Sequence, residues 1–265
     1  MAAATSPQNK RWRAFRHPFS AALDSESERE ALARRGGIRE VVFGVQDGLL
    51  TTMGLTTGVA TATAGAALSH TTILISGLAG ALAGMVSMGT GAYLAACAER
   101  DLKRAAIHKE RGELKSQPVE EHLEMVAILM ASGVPAATAE DLSRSLAEFP
   151  RLWEETHIEK ELGLSSDPQD NPVRDGLVMA ATFLVGAVIP IVPYIVTSGL
   201  LAVAGSLLLS AVVLTGVGMG KAAVIGQRLV VGGAQVLGVG TAAALAGYAL
   251  GVLLPHIFGL RLPPA

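Results

Sequence analysis

The chain is poor in cysteine, in aromatic side chains and in charge. Cys97 is the only cysteine among 265 residues. That excludes an intramolecular disulfide framework and a zinc site built on cysteines, and Cys97 reads as a small packing residue. Aromatics make up 4% of the chain and charged residues 17%, with a net charge of −2. Such a balance gives no argument for a nucleic-acid partner. There is no glycine-rich nucleotide loop and no nucleophile–base pair, so ATP-driven pumping is not expected, no catalytic residue is assigned and no prosthetic group is implied. Acidic residues stop at Asp175, and most of the 23 fall between Glu99 and Asp175. No apolar core of the signal-peptide kind precedes the first long apolar stretch, so no cleaved leader is expected.

What the chain does have is length of apolar run. Half of it is hydrophobic, and mean hydropathy is +0.44. Apolar stretches of membrane-crossing length run over about 38–66, from about 71 onward, and over 176–196, 199–219 and 229–258. Behind the second stretch, helical composition continues through Glu99-Arg100-Asp101 to about Lys115, so one long helix leaves the membrane and projects into water. Pro118 opens a new helix with Glu120 and Glu121 in its first turn, where the helix dipole favours acids. Further helices are expected over 138–148 and from Pro150 to about Leu162, with Gly163 as a stop. Pro190 and Pro193 interrupt the third span, which packing or water must compensate.

The pattern predicts an all-α polytopic membrane protein. It has five transmembrane helices and a helical insert between the second and third. The divisions are a polar tail over 1–37, spans one and two over 38–98, the insert over 99–172, spans three to five over 173–258 and a short tail over 259–265. The tail reads as an irregular segment entering a short amphipathic helix; its Lys10, Arg11, Arg13 and Arg16 also suit a tether to anionic lipid. Basic residues set the orientation. Arg34, Arg35 and Arg39 precede the first span, Arg100, Lys103 and Arg104 follow the second, Arg174 precedes the third, and Lys221 and Arg228 separate the fourth and fifth. The other two links carry no Lys or Arg. The positive-inside rule then places the N-terminus and the insert in the cytoplasm and the C-terminus outside.

Two places carry chemistry. Asp47, between Gly44 and Gly48, is the acidic residue well inside a span; Glu40 lies near its cytoplasmic end. A charge at that depth costs about 2.5–3.5 kcal/mol on insertion scales and marks a polar or ionic path in most such helices, the competing reading being a packing hydrogen bond to a Thr. Met85 and Met88 offer soft thioether ligands or plain packing. In the insert, Glu110 with Glu113 and Glu121 with Glu124 each form a Glu-x-x-Glu pair on one helix face. Pro118 lets the two helices fold back and gather four carboxylates, as helical bundles do around metal ions. Glu161 is a fifth, and His157 precedes it by one turn. Oxygen ligands with imidazole suit Mn²⁺, Fe²⁺ or Zn²⁺ better than Cu⁺. A solvated acidic face is the alternative. His122, between Glu121 and Glu124, offers a second imidazole; His70 reads as interfacial, and His108 has no role assigned.

Arg39-Glu40-Val41-Val42-Phe43-Gly44-Val45-Gln46-Asp47-Gly48-Leu49 resembles the first span of the vacuolar iron transporter (VIT) family. Ser87-Met88-Gly89-Thr90-Gly91-Ala92-Tyr93-Leu94-Ala95 resembles the end of its second span, and Pro190-Ile191-Val192-Pro193-Tyr194 its third. The spaced glutamates and Glu161-Leu162-Gly163-Leu164 are similar to its cytoplasmic metal-binding domain. The resemblance implies a five-span homodimer that moves Fe²⁺, and often Mn²⁺, out of the cytosol in exchange for protons along a path between first spans. It implies Asp47 and Met88 on that path, and Glu110, Glu113, Glu121, Glu124 and Glu161 as metal ligands. Two departures stand out. Gly80 occupies the place of a family glutamate on the second span, and His157-Ile158 that of a Met-Met pair. Imidazole for thioether shifts the site toward harder or borderline ions and adds pH sensitivity.

The expected partners are thus divalent metal, the lipid membrane and a second copy of the chain, with Fe²⁺ or Mn²⁺, then Zn²⁺, as substrate or bound ion. The membrane is the plasma membrane in a prokaryote and a vacuolar or other organelle membrane in a eukaryote. Two alternatives remain open: a membrane-anchored metal-binding or sensing protein that does not transport, and a ferroxidase using the carboxylates as a di-iron site.

Overall fold

The computed structural model describes residues 18–63, 69–164 and 171–259, with side chains from Glu40 onward, Ser69 excepted. The basic segment around Lys10–Arg16, the end of the first link, part of the loop after Leu164 and the tail beyond Gly259 lie outside the described residues. Among the described residues every regular element is helical. They run α1 (Pro18–Ala62), α2 (Ser69–Ser116), α3 (Pro118–Ala131), α4 (Ala136–Ala147), α5 (Pro150–Lys160), α6 (Pro172–Val188), a 3₁₀ turn (Ile189–Ile191), α7 (Val192–Val196), α8 (Gly199–Ile225) and α9 (Leu229–Ile257).

Four of these stretches are long and apolar enough to cross a bilayer: His70–Ser116, Pro172–Val196, Gly199–Ile225 and Leu229–Ile257. The helix that carries Asp47 is not among them. Gln46, Asp47 and a run of threonines lower its hydropathy, although α1 packs against α8 and α9. At about 1.5 Å per residue, α2 is far longer than the roughly 30 Å hydrocarbon layer. Its charged residues all lie from Glu99 onward, so the membrane-crossing part ends before Glu99.

The chain divides into two compact units, Met1–Met88 with Val178–Ala265, and Gly89–Leu177. In the first unit, small residues let backbones touch. A Cβ on Gly48 would stand 2.1 Å from the Phe183 carbonyl oxygen of α6, and one on Gly247 2.3 Å from the Gly54 oxygen of α1. Such close approach is how helices associate in lipid, where apolar burial gives no drive. Leu49, Met53, Leu214 and Val236 form one apolar cluster and Ala81, Phe183, Ala187 and Ile191 another. The prolines break the third span as expected. The freed Pro190 carbonyl accepts a bond from Ser206 Oγ at 2.7 Å, and the Pro193 carbonyl accepts one from Thr197 Oγ1 at 2.9 Å.

The second unit joins the outer half of α2 to α3, α4 and α5. Pro118 cannot continue α2, and Gln117 leaves helical geometry at φ −132° and ψ 51°, so α3 starts afresh. Gly133 at φ +91° ends α3, with the Val134 N–H donating to the Leu129 carbonyl at 3.1 Å. Gly163, at φ +64°, ends the turn after α5. Met125, Ala139 and Ile158 are fully buried and give the unit its apolar contacts.

Candidate metal centre

Four side chains of the second unit converge. Glu110 comes from α2, Glu121 from the first turn of α3, His157 from α5, and Glu161 from its C-terminal end. One ligand atom from each lies within 4.8 Å of the others. His157 Nδ1 is 3.4 Å from Glu110 Oε1, 3.5 Å from Glu121 Oε2 and 4.0 Å from Glu161 Oε2. His157, Glu110 and Glu121 are buried; Glu161 stands at the solvent edge.

Four polar atoms at the centre have no hydrogen-bond partner. Glu110 Oε1, Glu121 Oε2 and both nitrogens of His157 are buried and unpaired. A buried polar atom left so costs about 1–3 kcal/mol, and three of these four point at one another. Distances of 3.4 and 3.5 Å exceed a hydrogen bond. They match the ligand-to-ligand spacing of about 3.4 Å that bonds of about 2.1 Å give around a tetrahedral ion. The arrangement is a buried acidic and imidazole cluster able to coordinate a divalent cation.

Its electrostatics point the same way. Burial, then the charges of Glu161 and Glu121, push the Glu110 carboxyl up to about 7. Burial, then Glu124 and Glu161, also raise Glu121. Burial lowers His157, which keeps the imidazole neutral and its lone pair available. Three carboxylates in one place repel, and a dication relieves that repulsion.

Glu113 and Glu124 stand outside the group of four. Glu113 Oε2 pairs with Lys109 Nζ at 3.0 Å, and Glu124 is exposed. Each pair presents its first member inward and its second a turn away, where it still adds negative charge. Three further contacts tie the ligand-bearing helices and the imidazole in place. Arg111 Nε donates to Glu154 Oε1 at 2.6 Å, tying α2 to α5. Ser143 Oγ lies 2.9 Å from His122 Nδ1, joining α3 to α4. The Trp153 ring meets His157 edge-on at 4.3 Å, an i, i+4 pair readable from sequence.

In the first unit, Asp47 is half-buried on α1, and the described residues give it no hydrogen bond or ion pair. The Thr partner of the packing reading is absent among them. Its neighbours Gly44 and Gly48 are buried against Thr182 and Phe183 of α6. Met88, with Met85, packs on the cluster that contains Phe183. Met88 and the glycines flanking Asp47 therefore pack on the same segment of α6.

A profile of the VIT family matches residues 38–252. The chain belongs to the VIT family. It is 29% identical over 234 residues to vacuolar iron transporter 1 of Tulipa gesneriana, covering 88% of this chain and 93% of that protein. Vacuolar iron transporter 2 of Oryza sativa subsp. japonica is 29% identical over 229 residues, 86% of this chain and 91% of the relative. Vacuolar iron transporter 1 of Arabidopsis thaliana is 27% identical over 220 residues, 83% and 86% of the two chains. This VIT chain carries an imidazole at the heart of its carboxylate cluster, and it is a multi-pass membrane protein.

Proposed function

We propose that this VIT protein exports Fe²⁺, and Mn²⁺ second, from the cytosol by proton antiport, as a homodimer of five-span subunits. The observation that carries the reading is the set of buried, unpaired ligand atoms on Glu110, Glu121 and His157, completed at the solvent edge by Glu161. The names of the relatives supply iron and transport. In this reading α1 is the fifth span, α2 to α5 form a cytoplasmic collector, and Glu161 receives the ion first. Glu113 and Glu124 raise the local concentration of cations around it. Asp47 from two subunits, with Met88, passes the ion across, and protons return through Asp47. The membrane is a plasma membrane in a prokaryote or an organelle membrane in a eukaryote.

Metal uptake into proteoliposomes, ion by ion, with and without an imposed pH gradient, tests this. Fe²⁺ and Mn²⁺ flux that rises with the gradient supports it. Undiminished flux in Asp47→Ala removes the role given to Asp47. The sensing reading keeps one supporting observation: no carboxylate stands at Gly80, and the Leu55 side chain fills the space beside it. Metal binding by the full chain without any flux would decide for sensing.

A further inference from the structure

The membrane-spanning unit holds a cavity of about 920 Å³ that neither Asp47 nor Met88 lines. Helices α1, α8 and α9 wall it, and the start of α2 with Tyr194 of α7 closes one end. Its two ends differ in chemistry. Met53, Leu207, Leu214 and Leu237 form the deep end. His70 and Thr61 stand at the other, where α1 finishes and α2 begins, with Tyr248 about one turn further in. His70 is held there by a hydrogen bond between its Nε2 and the Tyr194 carbonyl. The Thr hydroxyls do little to wet the wall. Thr61 Oγ1 donates to the Thr57 carbonyl at 2.8 Å and Thr241 Oγ1 to the Leu237 carbonyl at 2.9 Å, each within its own helix.

Ordered water needs two to four polar partners, and the deep end offers none. The mouth opens sideways, because Leu200 and Leu245 line the cavity yet are 83% and 63% exposed. In a bilayer that mouth meets lipid tails. A Cβ on Gly251 would meet Thr61 Cβ, and one on Gly247 the Gly54 oxygen, so Thr61 is level with Gly251; from there to Leu237 the wall is about 21 Å deep, at roughly 1.5 Å of rise per residue. The hydrocarbon layer of a bilayer is about 30 Å thick, so a cavity of that depth lies within it and reaches past its middle. His70 at the rim and Tyr248 one turn below it suit the approach to the interfacial zone, where an apolar body and a polar tip are both satisfied.

We propose that this cavity binds one acyl chain of a membrane phospholipid, its head group resting at the His70 rim. The lipid would then be a structural ligand that fills the α1–α8–α9 junction. The test is native mass spectrometry of the detergent-purified full chain. The wild type retains a single phospholipid per protomer. Leu207→Trp, which fills the deep end, loses it at least tenfold, and Thr241→Phe does the same if Leu207→Trp fails to fold. Leu208→Trp, on an exposed face that does not line the cavity, retains it. Palmitoyl-oleoyl phosphatidylglycerol added to delipidated protein raises the melting temperature of the wild type and not of the filled variants. Equal retention in all variants overturns the proposal. So does lipid found on dimers and never on monomers, which would make a second copy the cover.

Discussion

Metal binding at the cluster of Glu110, Glu121, His157 and Glu161 weakens as pH falls from 8 to 6, and Glu110 sets the size of the effect. Its carboxyl is pushed up to about 7. It is therefore about nine-tenths ionised at pH 8 and about one-tenth ionised at pH 6. The ion needs the carboxylate and must displace the proton. Glu110 alone thus lowers apparent affinity about tenfold over this interval, or about 1.4 kcal/mol. Glu121 is raised as well and steepens the fall. His157 is shifted down and stays a neutral ligand. An ordinary glutamate, titrating near 4.3, would leave affinity flat from pH 8 to 6. The assay is calorimetric titration of Mn²⁺ into the detergent-solubilised full chain at pH 8, 7 and 6. Fluorescence of Trp153, whose ring lies 4.3 Å from His157, gives a second readout. A change of less than about twofold between pH 8 and 6 would refute the reasoning, because it would put Glu110 back in the ordinary carboxylate range.

Three further outcomes follow from the same geometry. The metal-free insert loses about 1 kcal/mol of stability between pH 6.5 and 8, because folded Glu110 holds its proton to about 7 while the unfolded carboxyl releases it near 4.3; excess Mn²⁺ cancels the loss in thermal melts. The window starts at 6.5 because His157, lowered in the fold, works in the opposite sense below that pH. Glu121→Gln weakens Mn²⁺ binding tenfold or more in the calorimeter, whereas Glu124→Gln, at an exposed position outside the group of four, changes it less than about threefold. Gly48→Leu drives a side chain into the Phe183 carbonyl and destabilises the membrane unit by about 1–3 kcal/mol in denaturant melts, while Gly112→Ala, with open space around it, is tolerated.

The helices of the insert were legible because their boundaries are written in Pro118, Gly133, Pro135, Pro150 and Gly163, residues whose backbone chemistry acts locally. The ligands were legible in part. Spacing put Glu110 beside Glu113 and Glu121 beside Glu124, and i, i+4 placed His157 over Glu161. Spacing cannot say which member of each pair turns inward, since that depends on how α2, α3 and α5 are rotated against one another. Arg111 and Glu154 help set that rotation from 43 positions apart, and no local pattern links them. The source of pH sensitivity was legible only in part. Imidazole chemistry pointed to His157, which burial shifts down, while burial among carboxylates raises Glu110 to about 7 and adds a carboxyl that no spacing announced as titrating near neutral pH. The broken third span was signalled by its prolines, whereas Ser206, which satisfies the freed Pro190 carbonyl, is a long-range partner with no mark in the sequence.

The departure at Gly80 has a physical counterpart. A Cβ at that position would stand 2.5 Å from Leu55 Cδ2 of α1. An apolar side chain therefore occupies the room that a carboxylate on the second span would need. Gly80→Glu alone must push Leu55 aside, and overpacking of that kind costs about 1–3 kcal/mol before the charge is counted. Gly80→Glu combined with Leu55→Ala makes the room. If Asp47 alone couples metal to protons in this chain, adding a second titratable group at position 80 alters how Mn²⁺ flux depends on the pH gradient, by at least about twofold across one pH unit. Flux with the wild-type dependence, in a double variant shown to be folded by its insert's metal binding, would mean that position 80 lies off the path. The loss of the family glutamate would then be a packing change on α1 and α2 with no bearing on coupling, and Asp47 would have no missing partner to compensate.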